Sequence, residues 1–124
     1  MDSRELISLL PQHLAQIEKV KAVTRLGMCR EWTSCAMTEI ENLATNLGLK
    51  VLCEAREVTI SPGLSHTFIK VLVEDERPIL CDGVGVGKYP SFIGYEDEAP
   101  EHLKNSKSDM INIYRKLKFQ GQYI

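Results

Sequence analysis

The chain reads as an α+β fold in which helices pack on a small antiparallel β-sheet. Two patterns predict it. Apolar residues recur at helical spacing up to Leu47, and from Leu49 onward the pattern turns to alternation broken by the turn signals Ser61-Pro62-Gly63 and Glu74-Asp75-Glu76. Size is a third pointer. With 124 residues, 44% of them hydrophobic, the chain can bury one core, so residues 1–124 read as a single domain.

The elements follow in order. Asp2 and Glu5 have the spacing of a capping box, and Leu6, Leu9, Leu10, His13, Leu14, Ile17 and Val20 share one helical face. Pro11 is expected to kink that helix or split it in two. The loop Thr24 to Met28 leads into a second helix that starts at Cys29. Its stripe is Trp32, Ala36, Ile40, Leu43 and Leu47, and Gly48 closes it as a left-handed cap. Leu49 to Ile60 alternates as a strand, and Ser65 to Val73 is rich in β-branched and aromatic residues. Arg77 to Asp82 returns across a polar turn, completing a hairpin. Beyond it come the glycine-rich run Gly83 to Gly87, an acidic loop at Glu96-Asp97-Glu98 and a last helix near Asp109 to Leu117.

Composition narrows the function classes. Fifteen basic against 17 acidic residues give a net charge of -2, which offers no general attraction for nucleic acid or an anionic membrane. No apolar run approaches the roughly 20 residues of a membrane helix, and the first residues lack the order of a secretory signal. The expected location is the cytoplasm, or a target cell reached without a cleavable secretory signal. Cys29, Cys35, Cys53 and Cys81 show no paired C-x-x-C spacing, and His13 and His102 lack partners at metal-ligand intervals, so neither a metal nor a cofactor is expected. The run ending at Lys88 fails as a phosphate loop, because Asp82 stands at the first glycine position and Tyr89 where Ser or Thr is needed. Those glycines are read as slack in the backbone.

Three residues in chain order suggest chemistry. A thiol is activated at a helix amino terminus beside an imidazole, and Cys29 heads a helix. Its free backbone N–H could form half of an oxyanion hole, with Gly27 allowing close approach; the second donor is not identified. His66 opens one hairpin strand and Asp82 closes the next. Counted outward from a turn centred on Glu74, the two fall opposite each other, close enough for a carboxylate to orient an imidazole. A Cys29–His66–Asp82 triad is the resulting expectation. The bland alternatives are a buried thiol at Cys29, a satisfied strand residue at His66 and a turn former at Asp82, and only the pairing sets them aside. Cys35 lies inside the helix, where the terminal N–H groups cannot reach it, and Trp32 is read as core.

The segment Gly27-Met28-Cys29-Arg30-Glu31-Trp32 resembles the G-x-C-R-[DE]-aromatic signature of bacterial transglutaminase-like proteins, and Leu47-Gly48-Leu49-Lys50-Val51 continues the likeness up to the His and Asp strands. The resemblance covers Gly27 to Asp82. It implies a papain-like, transglutaminase-like core and the triad roles above. The implied activity is that of a glutamine deamidase or transglutaminase-like hydrolase on a protein or peptide substrate, of the kind found in bacterial effectors and toxins. Arg25, Gly27, Cys29, Glu31, the strand from His66 to Val71 and Asp82 are also similar to the arylamine N-acetyltransferases. Three departures stand against that family: Leu26 where it carries a second glycine, glycines after Asp82 that fall one position differently, and a much shorter chain. An acetyltransferase, a peptidoglycan or isopeptide amidase, and a catalytically silent binding protein are the rival expectations.

Overall fold

The first helix, α1 (Ser3–Val20), begins where Asp2 caps it: the Asp2 carboxylate accepts the backbone N–H groups of Arg4 at 3.1 Å and Glu5 at 3.4 Å. The computed structural model describes residues 2–20, 29–83, 85–86 and 88–113, with the side chains of 18–20 and 29–31 excepted. Leu6, Leu10, Leu14 and Ile17 form the buried face of α1. His13 is exposed and off that face. The helix runs unbroken through Pro11, contrary to the expected split. Pro11 lies on the solvent side, and burial of four large apolar side chains, about 2 kcal/mol each, outweighs the roughly 3 kcal/mol that an interior proline costs.

The second helix, α2 (Cys29–Asn46), buries Trp32, Ala36, Met37, Ile40 and Leu43. It ends in a Schellman turn: Leu49 N–H donates to the Ala44 carbonyl at 2.9 Å, and Gly48 takes φ +75°. The chain then doubles back into the sheet, so the head of α2 lies toward the end where the first strand finishes.

That sheet has five antiparallel strands: β1 (Val51–Ser61), β2 (Leu64–Val73), β3 (Ile79–Asp82), β4 (Phe92–Tyr95) and β5 (Lys107–Ser108), in the spatial order β4-β3-β2-β1-β5. Pro62 and Gly63, the latter at φ +79°, make the tight turn between β1 and β2. The β2–β3 register differs from expectation. Ile69 pairs with Cys81, which centres the turn on Asp75 rather than Glu74, and Asp75 itself takes φ 62°. His66 and Asp82 are therefore diagonal neighbours instead of direct partners. Strands β4 and β5 carry too little alternation to be read from sequence. The expected C-terminal helix opens at residue 111, with Asp109 accepting the Ile111 N–H at 2.9 Å and the Thr67 hydroxyl at 2.8 Å; the positions beyond Ile113 lie outside the described residues.

The sheet has an apolar cluster on each face. On one, Cys53, Ala55, Ile69, Val71, Ile79 and Cys81 meet α1 and α2. On the other, Val58, Phe68, Leu80 and Leu103 form a smaller core with Ile60, Phe92 and Ala99 against it. Burying those four contributes about 2 kcal/mol apiece and holds the two short 3₁₀ turns, Glu96–Glu98 and Glu101–Leu103, over the sheet. No helix among the described residues is long and apolar enough to cross a membrane.

Gly83 joins the helices to this frame. A Cβ there would lie 2.2 Å from Cζ2 and 2.3 Å from Cη2 of Trp32, a ring only 3% exposed and fixed in the core. Gly83 is thus close-packed rather than slack. Gly83→Ala is expected to cost about 1–3 kcal/mol, read as a lower urea midpoint; a variant as stable as the parent would contradict this packing.

Candidate active site

His66 stands near the start of β2 because the turn at Pro62-Gly63 launches the strand there, and Asp82 closes β3 just before the chain bends at Gly83. Their side chains meet. His66 Nε2 lies 2.9 Å from Asp82 Oδ2, with His66 2% and Asp82 0% exposed. The second carboxylate oxygen, Oδ1, accepts the Gly85 N–H at 3.0 Å. Gly85 takes φ +70°, and a Cβ there would fall 2.7 Å from the Tyr89 carbonyl oxygen, so the turn that supplies this N–H favours glycine. Asp82 is fixed at both oxygens. The imidazole is in turn flanked by Phe68, with ring centroids 6.5 Å apart.

A carboxylate only accepts hydrogen bonds, so the geometry assigns the Nε2 proton to the bond with Asp82. This makes Nδ1 the nitrogen that can take up a proton from a nucleophile. By strand alternation, His66 and Asp82 lie on the face that carries Phe68 and Leu80, opposite the one covered by the helices. What links α2 to this end of the sheet is a contact beside Asp82. Trp32, one turn into the helix, rests against Gly83, the residue after Asp82. Cys29 is the first residue of α2. Its side chain, and the expected approach through Gly27 and Met28, lie outside the described residues.

The other thiols have different surroundings. Cys81 is fully buried, and burial, with Asp82 and Cys53 adding to it, pushes its thiol far above the ordinary range. Cys53 is buried too, and Cys35 is partly buried against the core. A thiolate is disfavoured at Cys81 and has no helix terminus to favour it at Cys35.

The same face holds a feature the sequence did not reveal. A cavity of about 650 Å³ opens between the end of β1 and residues 89–102, lined by Ile60, Tyr89, Pro90, Phe92, Pro100 and His102 among others. It shares strands with the His–Asp pair: Phe92 is the register partner of Asp82, and Thr59, also in the lining, pairs with Ser65 beside His66. His102 stacks on Tyr89, with centroids 4.1 Å apart. Burial holds this imidazole below the ordinary histidine range, while Asp82 draws it back up and His66 pushes it further down. Sequence gave no signal for His102, because neighbours brought together by a loop leave no periodic trace. Among the described residues, no group of three His, Cys, Asp or Glu side chains could hold a metal ion.

No protein-family model, no curated protein and no solved structure matches this chain.

Proposed function

We propose that this chain is a thiol-dependent acyl-transfer enzyme with a papain-like, transglutaminase-like core, and that it deamidates glutamine in a protein or peptide substrate. The observation that supports this most is the buried 2.9 Å His66–Asp82 hydrogen bond at the end of the sheet where Trp32 of α2 rests on Gly83. In this reading His66 Nδ1 takes the proton of the Cys29 thiol, and Asp82 stabilises the imidazolium through Nε2. The thiolate sulfur attacks the side-chain carboxamide carbon to give a tetrahedral oxyanion, which the backbone N–H at the head of α2 can stabilise. Collapse breaks the C–N bond, His66 returns its proton to the departing nitrogen, and ammonia leaves a thioester on Cys29. Water, deprotonated by His66, then attacks the thioester; a glutamate side chain and the thiol are restored. An amine in place of water gives transamidation by the same steps.

Intact mass spectrometry of candidate protein substrates tests the reading. The expected product gains one mass unit for each glutamine converted, it is absent with Cys29→Ala, and added primary amine diverts it to an amine conjugate. Saturable acetylation of the thiol by acetyl-coenzyme A, without a deamidated product, would replace this reading with the acetyltransferase one. A second reading draws on the near-complete burial of His66 and Asp82, which equally suits a silent binding protein that keeps the pair for stability. That reading predicts no Cys29-dependent product of any kind.

A further inference from the structure

The two sides of the sheet end differently. On the β1 side the edge is closed. Strand β5 covers it at Arg56 and Glu57, and at Ala55 the Asn112 side chain takes the place of a strand: Asn112 Oδ1 accepts the Ala55 N–H at 2.8 Å, and Asn112 Nδ2 donates to the Ala55 carbonyl at 2.9 Å. At the other side, β4 is the last strand. Its outward groups follow from the register. Leu80 pairs with Gly94, and the Glu96 N–H donates to the Pro78 carbonyl at 2.9 Å, so Phe92 and Gly94 are the residues that bond to β3. The N–H and C=O groups of Ile93 and Tyr95 therefore point away from the sheet, and no hydrogen bond reaches them among the described residues.

Every residue of β4 keeps part of its surface open, whereas the neighbouring β3 is buried at all four positions. The sequence Phe92-Ile93-Gly94-Tyr95 carries no charge and no proline, and its pairing with β3 is continuous, so it lacks the devices that blunt an edge strand. The side chains of Ile93 and Tyr95 pack against the helix-side core and offer apolar flanks to a neighbour on the same face. Backbone groups in this pattern select their occupant by geometry: it must be extended, with alternate residues apolar. A peptide segment fits better than a second copy of this chain. The edge is only four residues long, about 14 Å, and two such edges paired with each other fall far short of the roughly 1,200 Å² of a stable interface.

We infer that β4 is a docking edge for an extended segment of a partner protein, which joins the five-stranded sheet as one more strand by pairing with the N–H and C=O groups of Ile93 and Tyr95. The partner residues opposite Ile93 and Tyr95 turn their own N–H groups toward β4 and their side chains toward the helix side, where β-branched residues pack well. Proline is excluded at those two positions, because it has no N–H to give. The docking edge does not involve Cys29 and stands apart from the acyl-transfer reading.

Amide hydrogen exchange and a peptide titration on the full chain test this. In the free protein, the Ile93 and Tyr95 amides are expected to exchange at least about 100-fold faster than the Gly94 amide, which is bonded to β3. The probe peptide is acetyl-Lys-Thr-Val-Thr-Val-Thr-Lys-amide. It is expected to shift the Ile93 and Tyr95 amide resonances saturably and, at saturation, to slow their exchange at least about tenfold. N-methylation of both valines, whose N–H groups face β4, should weaken binding at least about tenfold, whereas N-methylation of the threonine after each valine should change it less than about threefold. Equal losses in the two methylated peptides, or no saturable shift, overturn the docking edge. So does protection of Ile93 and Tyr95 equal to that of Gly94 in the free, dilute chain. Protection that rises with protein concentration alone assigns the edge to a second copy and overturns the partner segment. A chain that binds the probe and converts no glutamine keeps the docking edge and loses the deamidase reading; one that deamidates and does not bind the probe does the reverse.

Discussion

Asp82→Asn is expected to lower kcat/KM by about 10²–10⁴-fold in a protein that still folds. The size follows from the two bonds that Asp82 makes. Oδ2 accepts from His66 Nε2 and Oδ1 accepts from the Gly85 N–H, so the site uses both oxygens as acceptors. An asparagine has one oxygen and one NH₂ group, and it can satisfy one donor only by presenting the NH₂ group to the other. If the NH₂ faces His66, the imidazole adopts the other tautomer and Nδ1 carries the proton it should accept. If it faces Gly85, the turn over the site loses its anchor. The first arrangement gives up the tautomer that catalysis needs, and the second leaves a donor facing a donor in a buried place, at a cost of about 1–3 kcal/mol. Steady-state kinetics together with a urea melt check both effects. An Asp82→Asn enzyme within a few-fold of the parent would show that orientation of His66 by a carboxylate does not matter here.

Much of this arrangement was legible in the residues. The two helices are written in apolar spacing, and their ends in Asp2 and Gly48, because capping chemistry is local. The hairpins are written in Pro62-Gly63 and in the polar stretch after Val73. Their geometry brings His66 and Asp82 together whether the pairing is direct or diagonal. The register was one turn position off because left-handed Asp75, rather than Glu74, sits at the centre of the turn. Asp is among the few residues that tolerate that conformation without glycine.

What stayed hidden depends on partners distant in the chain. Gly83 looks like a flexible residue until Trp32, more than fifty positions earlier, fills the space above it. Strand β5 has only two residues and exists because β1 offers it an edge. His13 matched a helical stripe by number yet faces solvent, since the buried face of α1 is satisfied by Leu10 and Leu14 on either side of it. His102 is the most consequential case. A short 3₁₀ turn, fixed by burial of Leu103, delivers it to a cavity that no spacing rule describes.

The pH dependence of Cys29 alkylation tests the central claim most directly, because it reads the thiol itself and needs no substrate. An imidazolium next to the sulfur stabilises the thiolate, so the thiol should ionise below the free value of about 8.5 and react with iodoacetamide half-maximally at or below about pH 7.5. Removing the imidazole takes that stabilisation away, and His66→Ala should therefore move the midpoint upward, toward about 8.5, while Cys35→Ala leaves it in place. Identification of the labelled peptide by mass assigns the signal to Cys29, with buried Cys53 and Cys81 protected in the folded chain. A parent midpoint at the ordinary thiol value, unmoved by His66→Ala, would contradict a Cys29 nucleophile served by the His66–Asp82 pair.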